Sequence, residues 1–272
     1  MGSGGGRFEI PPPEEALLQL GQEAAPRQCA LSARTSVLVW NLHKQADAGF
    51  AEAFRSLSRD RQLLLLQEFR VHGPWRDFFL GGEHGYSMAT SFVYRSDGGP
   101  AGVAIGSPVP PSLCEPLVTP DLEPVVGTPK SSLLASYALE GGSQLLVASV
   151  HGINRASFEA FERQLRSLAE RLETRRAAAG GDTPILLAGD FNTQSAQKLS
   201  CLEAAAERLG LRAVRFQPDT RTLSKLSRRP LDHAFVSQGV SLRSAKCWEE
   251  LGGSDHVALT FDLIFEGLHE SR

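Results

Sequence analysis

The chain lacks any apolar run long enough to span a bilayer, and its start has no charged-then-apolar leader pattern. Cysteine is sparse. Cys29, Cys114, Cys201 and Cys247 stand apart with no Cys-x-x-Cys pair, which argues against a thiolate zinc site; Cys201, inside a helical pattern, reads as a buried thiol. An excess of one charge is lacking too. The 28 basic and 31 acidic residues leave a net −3, so total charge does not advertise a nucleic-acid binder, although binding depends on where charge sits rather than on its sum. No repeat of fixed period and no linker divides the sequence. A monomer is expected because no heptad or long exposed apolar helix is evident, and the cytoplasm is the default location.

What is present is ordinary globular material. In 272 residues, 42% hydrophobic content with 22% charge can fill a sizeable core. Met1-Gly2-Ser3-Gly4-Gly5-Gly6 reads as a flexible tag, and residues 1–33 as an N-terminal extension in which Glu14–Gln22 is helix-like. Residues 34–266 read as a single domain, with 267–272 as a tail. Val37–Trp40 and Gln62–Gln67 are continuous apolar runs of buried-strand type, separated by Phe50, Phe54 and Leu57 at helical spacing.

Strand-like segments follow at Ser91–Arg95, Gly102–Ile105, Ser132–Leu139 and Gln144–His151, the last two joined by the turn Glu140-Gly141-Gly142-Ser143. The interval 106–130 carries seven prolines and is too broken for a long helix or a central strand. Ser157–Ala179 is the clearest helix, ended by Gly180-Gly181, and a second lies around Leu199–Leu209. Thr183–Ala188, His233–Ser237 and Val257–Ile264 complete the strands. Strands and helices around a meander of hairpins predict an α/β fold of two packed sheets with helices outside.

The chemistry-bearing residues collect where apolar runs end. They are Trp40-Asn41, Gln67-Glu68, Gly189-Asp190-Phe191-Asn192, Leu231-Asp232-His233 and Ser254-Asp255-His256. A desolvated carboxylate costs several kcal/mol unless paired, so charges at the mouths of buried strands suggest a site along one sheet edge. Phosphodiester hydrolysis needs an activated water, shielding of phosphate charge and a proton for the leaving oxygen. Carboxylates, a hard cation and histidines supply these.

These segments, with Val150-His151-Gly152-Ile153-Asn154, resemble the endonuclease/exonuclease/phosphatase (DNase I-like) superfamily in order and spacing from about Ser36 to Ile264. The nearest likeness is to an uncharacterised bacterial branch with Trp-Asn-x-x-Lys-Gln (Trp40 to Gln45), Thr-Pro-Lys (Thr128 to Lys130) and His-x-x-Asn before a Gln-Leu helix. The resemblance implies a four-layered α/β sandwich of two mixed sheets. It also implies a Mg²⁺ cofactor, with Mn²⁺ as alternative, held by Glu68 with Asn41 beside it and Asp255 directly or through water. Asp190 would orient and deprotonate the attacking water, and Asn192 would hold a phosphate oxygen. His256, fixed by Asp232, would touch the scissile phosphate, with His151 a further catalytic histidine and Asn154 facing the same phosphate. Some relatives carry an acid two residues after the first Asn. Here that position is His43, which favours a one-metal site. His233 reads as structural.

For the substrate, Arg212, Arg215, Arg221, Lys225, Arg228 and Arg229 cluster just before Leu231-Asp232-His233, opposed only by Asp219. Of these, Arg221, Arg228 and Arg229, with Lys130, are the candidate phosphate contacts of a polyanion. No regular aromatic interleaving supports base stacking there. A nuclease of low sequence specificity is the first expectation. A phospholipid (sphingomyelinase-like) or small-metabolite phosphoester hydrolase is the alternative, with 108–129 as the one membrane-entry loop to consider. A non-catalytic binding protein on this fold ranks last, because no carboxylate or histidine of the constellation is missing.

Overall fold

The computed structural model describes residues 6–21 and 28–266. In chain order the first half runs β1 (Phe8–Glu9), β2 (Leu17–Leu20), β3 (Arg34–Asn41), α1 (Phe50–Ser58), β4 (Leu63–Arg70), α2 (Gly73–Leu80), β5 (Gly85–Tyr94) and β6 (Pro100–Ser107). The second half runs β7 (Leu113–Val118), β8 (Ser131–Ala138), β9 (Gln144–His151), α3 (Phe158–Ala178), β10 (Ile185–Asp190), α4 (Ala196–Arg208), β11 (Leu211–Ala213), β12 (Asp232–Ser237), β13 (Ser241–Trp248) and β14 (Ala258–Ile264).

Two mixed sheets result. One has the order β1-β5-β6-β4-β3-β14-β13, with β2 also on β5; the other is β11-β12-β10-β9-β8-β7. Their facing sides share a core that includes Val37, Leu65, Val103, Val147, Leu186, Val236 and Phe261. The outer faces are covered by helices. Phe50, Phe54 and Leu57 of α1 and Phe79 of α2 pack on the first sheet, and Phe161, Leu165, Leu168 and Leu172 of α3 on the second. Each such side chain, fully buried, stabilises by about 1.5–3 kcal/mol. The architecture is the expected four-layered α/β sandwich.

Local chemistry explains the boundaries. Ser157 caps α3 by accepting from Ala160 N at 3.3 Å, and Ser195 caps α4 by accepting from Lys198 N at 3.2 Å. In the proline-rich interval β7 forms at the sheet edge, where Pro116 can sit within a strand without disrupting a central ladder. The helix-like reading of Glu14–Gln22 is corrected. Only Pro13–Glu15 turns, as one 3₁₀ turn, and Leu17–Leu20 instead pairs with β5, from Leu17 opposite Ala89 to Leu20 opposite Tyr86; Gln22 lies outside the described residues. A leucine-rich segment beside an open strand gains ladder hydrogen bonds that an isolated two-turn helix lacks. Within the extension, β1 likewise pairs with β5.

The register sets the site. Strands β3 and β4 run parallel, as do β9 and β10, so Asn41, His151 and Asp190 end at the same edge and Glu68 lies near it. Strands β12 and β14 run antiparallel to their neighbours and start there, which brings Asp232 opposite Asp190 and places His256 just ahead of β14.

Candidate active site

Asp190 is the centre. It is buried, and its Oδ2 accepts from Asn41 Nδ2 at 3.0 Å while Oδ1 accepts from the backbone N of Asn192 at 2.9 Å. His151 Nε2 lies 3.5 Å from Oδ2, and His256 Nε2 lies 3.8 Å from the same oxygen. On its other side His256 Nδ1 meets Asp232 Oδ2 at 2.9 Å. A carboxylate on Nδ1 leaves Nε2 aimed at Asp190 and the space in front of it.

The charges follow from this packing. Burial pushes the Asp190 carboxyl up to about 6, with Asp232 adding to the rise and His256, Asn192 N–H and Asn41 opposing it. For His256 burial works against the charged ring, yet Asp232 and Asp190 overcome it and raise the pKa to about 10. His256 is therefore an imidazolium at neutral pH. Burial, together with Lys130 and Lys44, holds His151 well below its ordinary value, so that ring is neutral.

Glu68 occupies a neighbouring position. A bulge between Leu66 and Phe69 and a left-handed backbone at φ 49° lead β4 through it. Its carboxylate pairs with the ammonium of Lys44. Burial raises its pKa, but Lys44, Lys130 and His256 outweigh that and hold the carboxyl below the ordinary carboxylate value. Lys44 sits in the turn His43–Gln45, whose three residues all have positive φ: 46°, 57° and 57°. Such a turn of non-glycine residues costs about 1–2 kcal/mol per residue and needs firm support. His43 N supplies part of that support by donating to Asn41 Oδ1 at 3.0 Å, and Leu42 N donates to Gln67 O at 2.9 Å.

The remaining expected residues are spread around this centre. Asn192 donates from Nδ2 to Gly152 O at 3.0 Å, so in this geometry it ties the two strand-end turns together. Asn154 accepts from Gln194 Nε2 at 2.9 Å, and its backbone N donates to Glu123 Oε1 at 2.8 Å. Lys130 is nearly buried and lies 3.6 Å from Glu123 Oε2. Asp255 is exposed, and its carboxylate lies 3.8 Å from His43 Nδ1. Arg221 is clamped by Asp219 and donates to Asp232 O at 3.1 Å, which makes it a brace behind the site. Arg228 is exposed and Arg229 half-buried on the turn leading to β12.

His233 is structural, as its position suggested. Arg221 donates to its Nδ1 at 3.3 Å, so the neutral ring carries its proton on Nε2, beside Thr193 Oγ1 at 2.8 Å and Pro230 O at 3.1 Å. Burial, then Arg221, pulls its pKa down to about 4.

Several supports had no role assigned to them from sequence. Trp40 Nε1 donates to His256 O at 2.9 Å, and Ser254 Oγ to Asn41 O at 2.6 Å. Gln164 of α3 donates to His151 O at 2.9 Å and accepts from Ile153 N at 2.8 Å, and Lys198 of α4 donates to Ile153 O at 2.9 Å. Polar residues on the apolar face of a helix were the available signal for the last two.

Comparison with known proteins decides the family. The sequence profile of the Endonuclease/Exonuclease/phosphatase family matches residues 38–256. The chain belongs to that family. A UPF0294 protein of Vibrio cholerae is 32% identical over 250 residues, covering 88% of this chain and 85% of the relative. The catalytic domain of human Nocturnin with a bound sulfate superposes with a TM-score of 0.66 at 18% identity, covering 85% and 93% of the two chains. The endonuclease domain of the telomere-specific retrotransposon TRAS1 gives 0.58 at 16% identity, covering 86% and 99%. The family consists of phosphoester hydrolases that generally use a divalent metal, and the chain is an enzyme of this kind. Among the described residues no helix is long and apolar enough to cross a membrane.

Proposed function

We propose that the protein is a Mg²⁺-dependent phosphodiesterase, most simply a nuclease of low sequence specificity. The observation that carries this reading is the pairing of a buried Asp190 with a protonated His256 across 3.8 Å, the first able to take a proton from water and the second able to meet an anionic phosphate. His151, neutral beside Asp190, can exchange a proton at Nε2. Asp232 holds His256 in orientation and charge. Asn41 positions Asp190 through its amide and stabilises the charged carboxylate.

A divalent cation fits beside this relay at Glu68. That carboxylate is ionised, lines an open pocket and already pairs with a positive group, Lys44. Glu68 would hold the ion, with Asn41 and Asp255 as the further ligands. When bound, the ion would shield phosphate charge and acidify water. Asp190, Asp232 and His256 also bring ligand atoms within 4.8 Å of one another. We favour Glu68 over that trio, because the His256 ring has no free nitrogen lone pair: Nδ1 is taken by Asp232 and the ring is protonated.

Polymer substrates are supported by the exposed Lys225 and Arg228 on the turn before β12. The TRAS1 likeness supports the fold on which such activity occurs, and no more. The test is hydrolysis of supercoiled plasmid, single-stranded DNA, RNA and bis-p-nitrophenyl phosphate with Mg²⁺, Mn²⁺ or EDTA. Metal-dependent polymer cleavage is expected. Cleavage of the small diester alone would move the substrate to lipids or metabolites.

A further inference from the structure

The residues Arg7 and Phe8 lie outside the span matched by the family profile, yet they help to wall a pocket that also contains Lys44, Glu68, His151 and Asn154. Its volume is about 350 Å³, at the small end of the ~300–1,000 Å³ usual for ligand pockets. It has room for one nucleobase ring and its phosphate.

The walls are of two kinds. Phe8 stands edge-on to Phe92 and Tyr94, with ring centroids 4.8 and 5.1 Å away, and it remains half-buried while those two are nearly covered. Pairing of Phe8 with Tyr94 and of Glu9 with Val93 fixes it there. Val125 and Val126, 74% and 47% exposed, also line the pocket, on a turn closed by Glu123 N to Thr128 O at 3.0 Å and Gly127 N to Glu123 O at 2.8 Å. Apolar side chains held in water beside a catalytic pocket indicate something they cover. The cations Arg7, Lys44, Lys130 and Arg155 share the lining with only two carboxylates, Glu68 and Glu123. An acyl chain would need a continuous apolar lining, and a bare phosphate would need no aromatic wall. A planar base carrying a phosphate matches both.

We infer that the N-terminal strand completes a stacking pocket for a single nucleobase next to the scissile phosphate. Phe8 and the Val125–Val126 turn are its apolar walls, and Arg7, Lys130 and Arg155 offset phosphate charge. This deepens the phosphodiesterase reading and rests on it.

The test uses the full chain carrying Asp190→Asn, so that binding is read without turnover. Calorimetry compares adenosine 5′-monophosphate, ribose 5-phosphate and inorganic phosphate. The base-bearing ligand is expected to bind about tenfold more tightly than ribose 5-phosphate, within the range of one base–aromatic contact. Phe8→Ala is expected to bring the preference below about threefold while leaving ribose 5-phosphate affinity unchanged. Val125→Asp, at an exposed site where folding is safe, should weaken the same preference. Equal affinity for the two sugar phosphates, or a preference that survives both variants, overturns the inference. Binding to phosphatidylglycerol vesicles that is lost in Val125→Asp, without base preference, would overturn it in favour of lipid. Turnover of bis-p-nitrophenyl phosphate by the wild type separates the failures: its absence sinks the phosphodiesterase reading, and its presence without base preference sinks only the pocket.

Discussion

Lys44 shows how much a single side chain can ask of the backbone. Three consecutive left-handed residues place its ammonium against Glu68, a conformation that persists because the hydrogen bonds at Asn41 and Gln67 hold it. If ammonium and divalent ion compete for that carboxylate, Lys44→Met should bind Mn²⁺ several-fold more tightly by calorimetry; unchanged affinity would separate Lys44 from the metal site. His233 gives a prediction in pH. Its pKa in the fold is about 4, below the ~6.5 of an unfolded histidine, so between these values the unfolded chain binds more protons. Stability from this residue is present above pH 6.5 and lost as pH falls towards 4, by about 2 kcal/mol between pH 7 and pH 5. Urea midpoints at the two pH values should therefore differ less in His233→Gln than in wild type. An equal pH dependence in both would remove His233 as a cause.

Among the elements, the strand ends were legible because long apolar runs such as Leu63–Leu66 and Ile185–Ala188 stop abruptly on polar residues. Segments with weaker patterns were not. Strand β13 is a half-exposed edge with a register shift between Arg243 and Lys246, and α2 is a short helix in which Phe79 is fully buried while Trp75 and Phe78 only partly face the core. Asn41, His151, Asp190, Asp232 and His256, expected together from sequence, do lie together in the fold, but register alone decides that Asp190 meets both His151 and Asp232 across its two neighbours. It could not show that Arg221 is spent on Asp219 and Asp232, because an arginine in a basic stretch reads the same whether braced or free. The close approach of β10 to β9 yields a further expectation. Gly189 has φ 147°, and a Cβ there would come within 2.0 Å of Val150 O. Gly189→Ala should lower stability by about 3 kcal/mol or more, read as a fall in the urea midpoint. A wild-type midpoint would mean that the strands can part freely.

At the scale of the whole molecule, two sheets bury their shared face and leave one edge to carry the chemistry, so catalysis and folding draw on different residues. Asp190→Ala should therefore keep the wild-type circular dichroism spectrum while losing activity. Polymer cleavage should also weaken steeply between ~50 and 200 mM salt, since each phosphate contact releases counterions, whereas a small diester should be nearly indifferent. The most direct test of the central claim is the rate of bis-p-nitrophenyl phosphate hydrolysis at saturating Mg²⁺ in wild type, Asp190→Ala and His256→Ala. The account predicts turnover in the wild type and a fall of at least about 100-fold in each variant. Wild-type rates in either variant would contradict the assignment of Asp190 and His256 as the groups that move the proton and meet the phosphate.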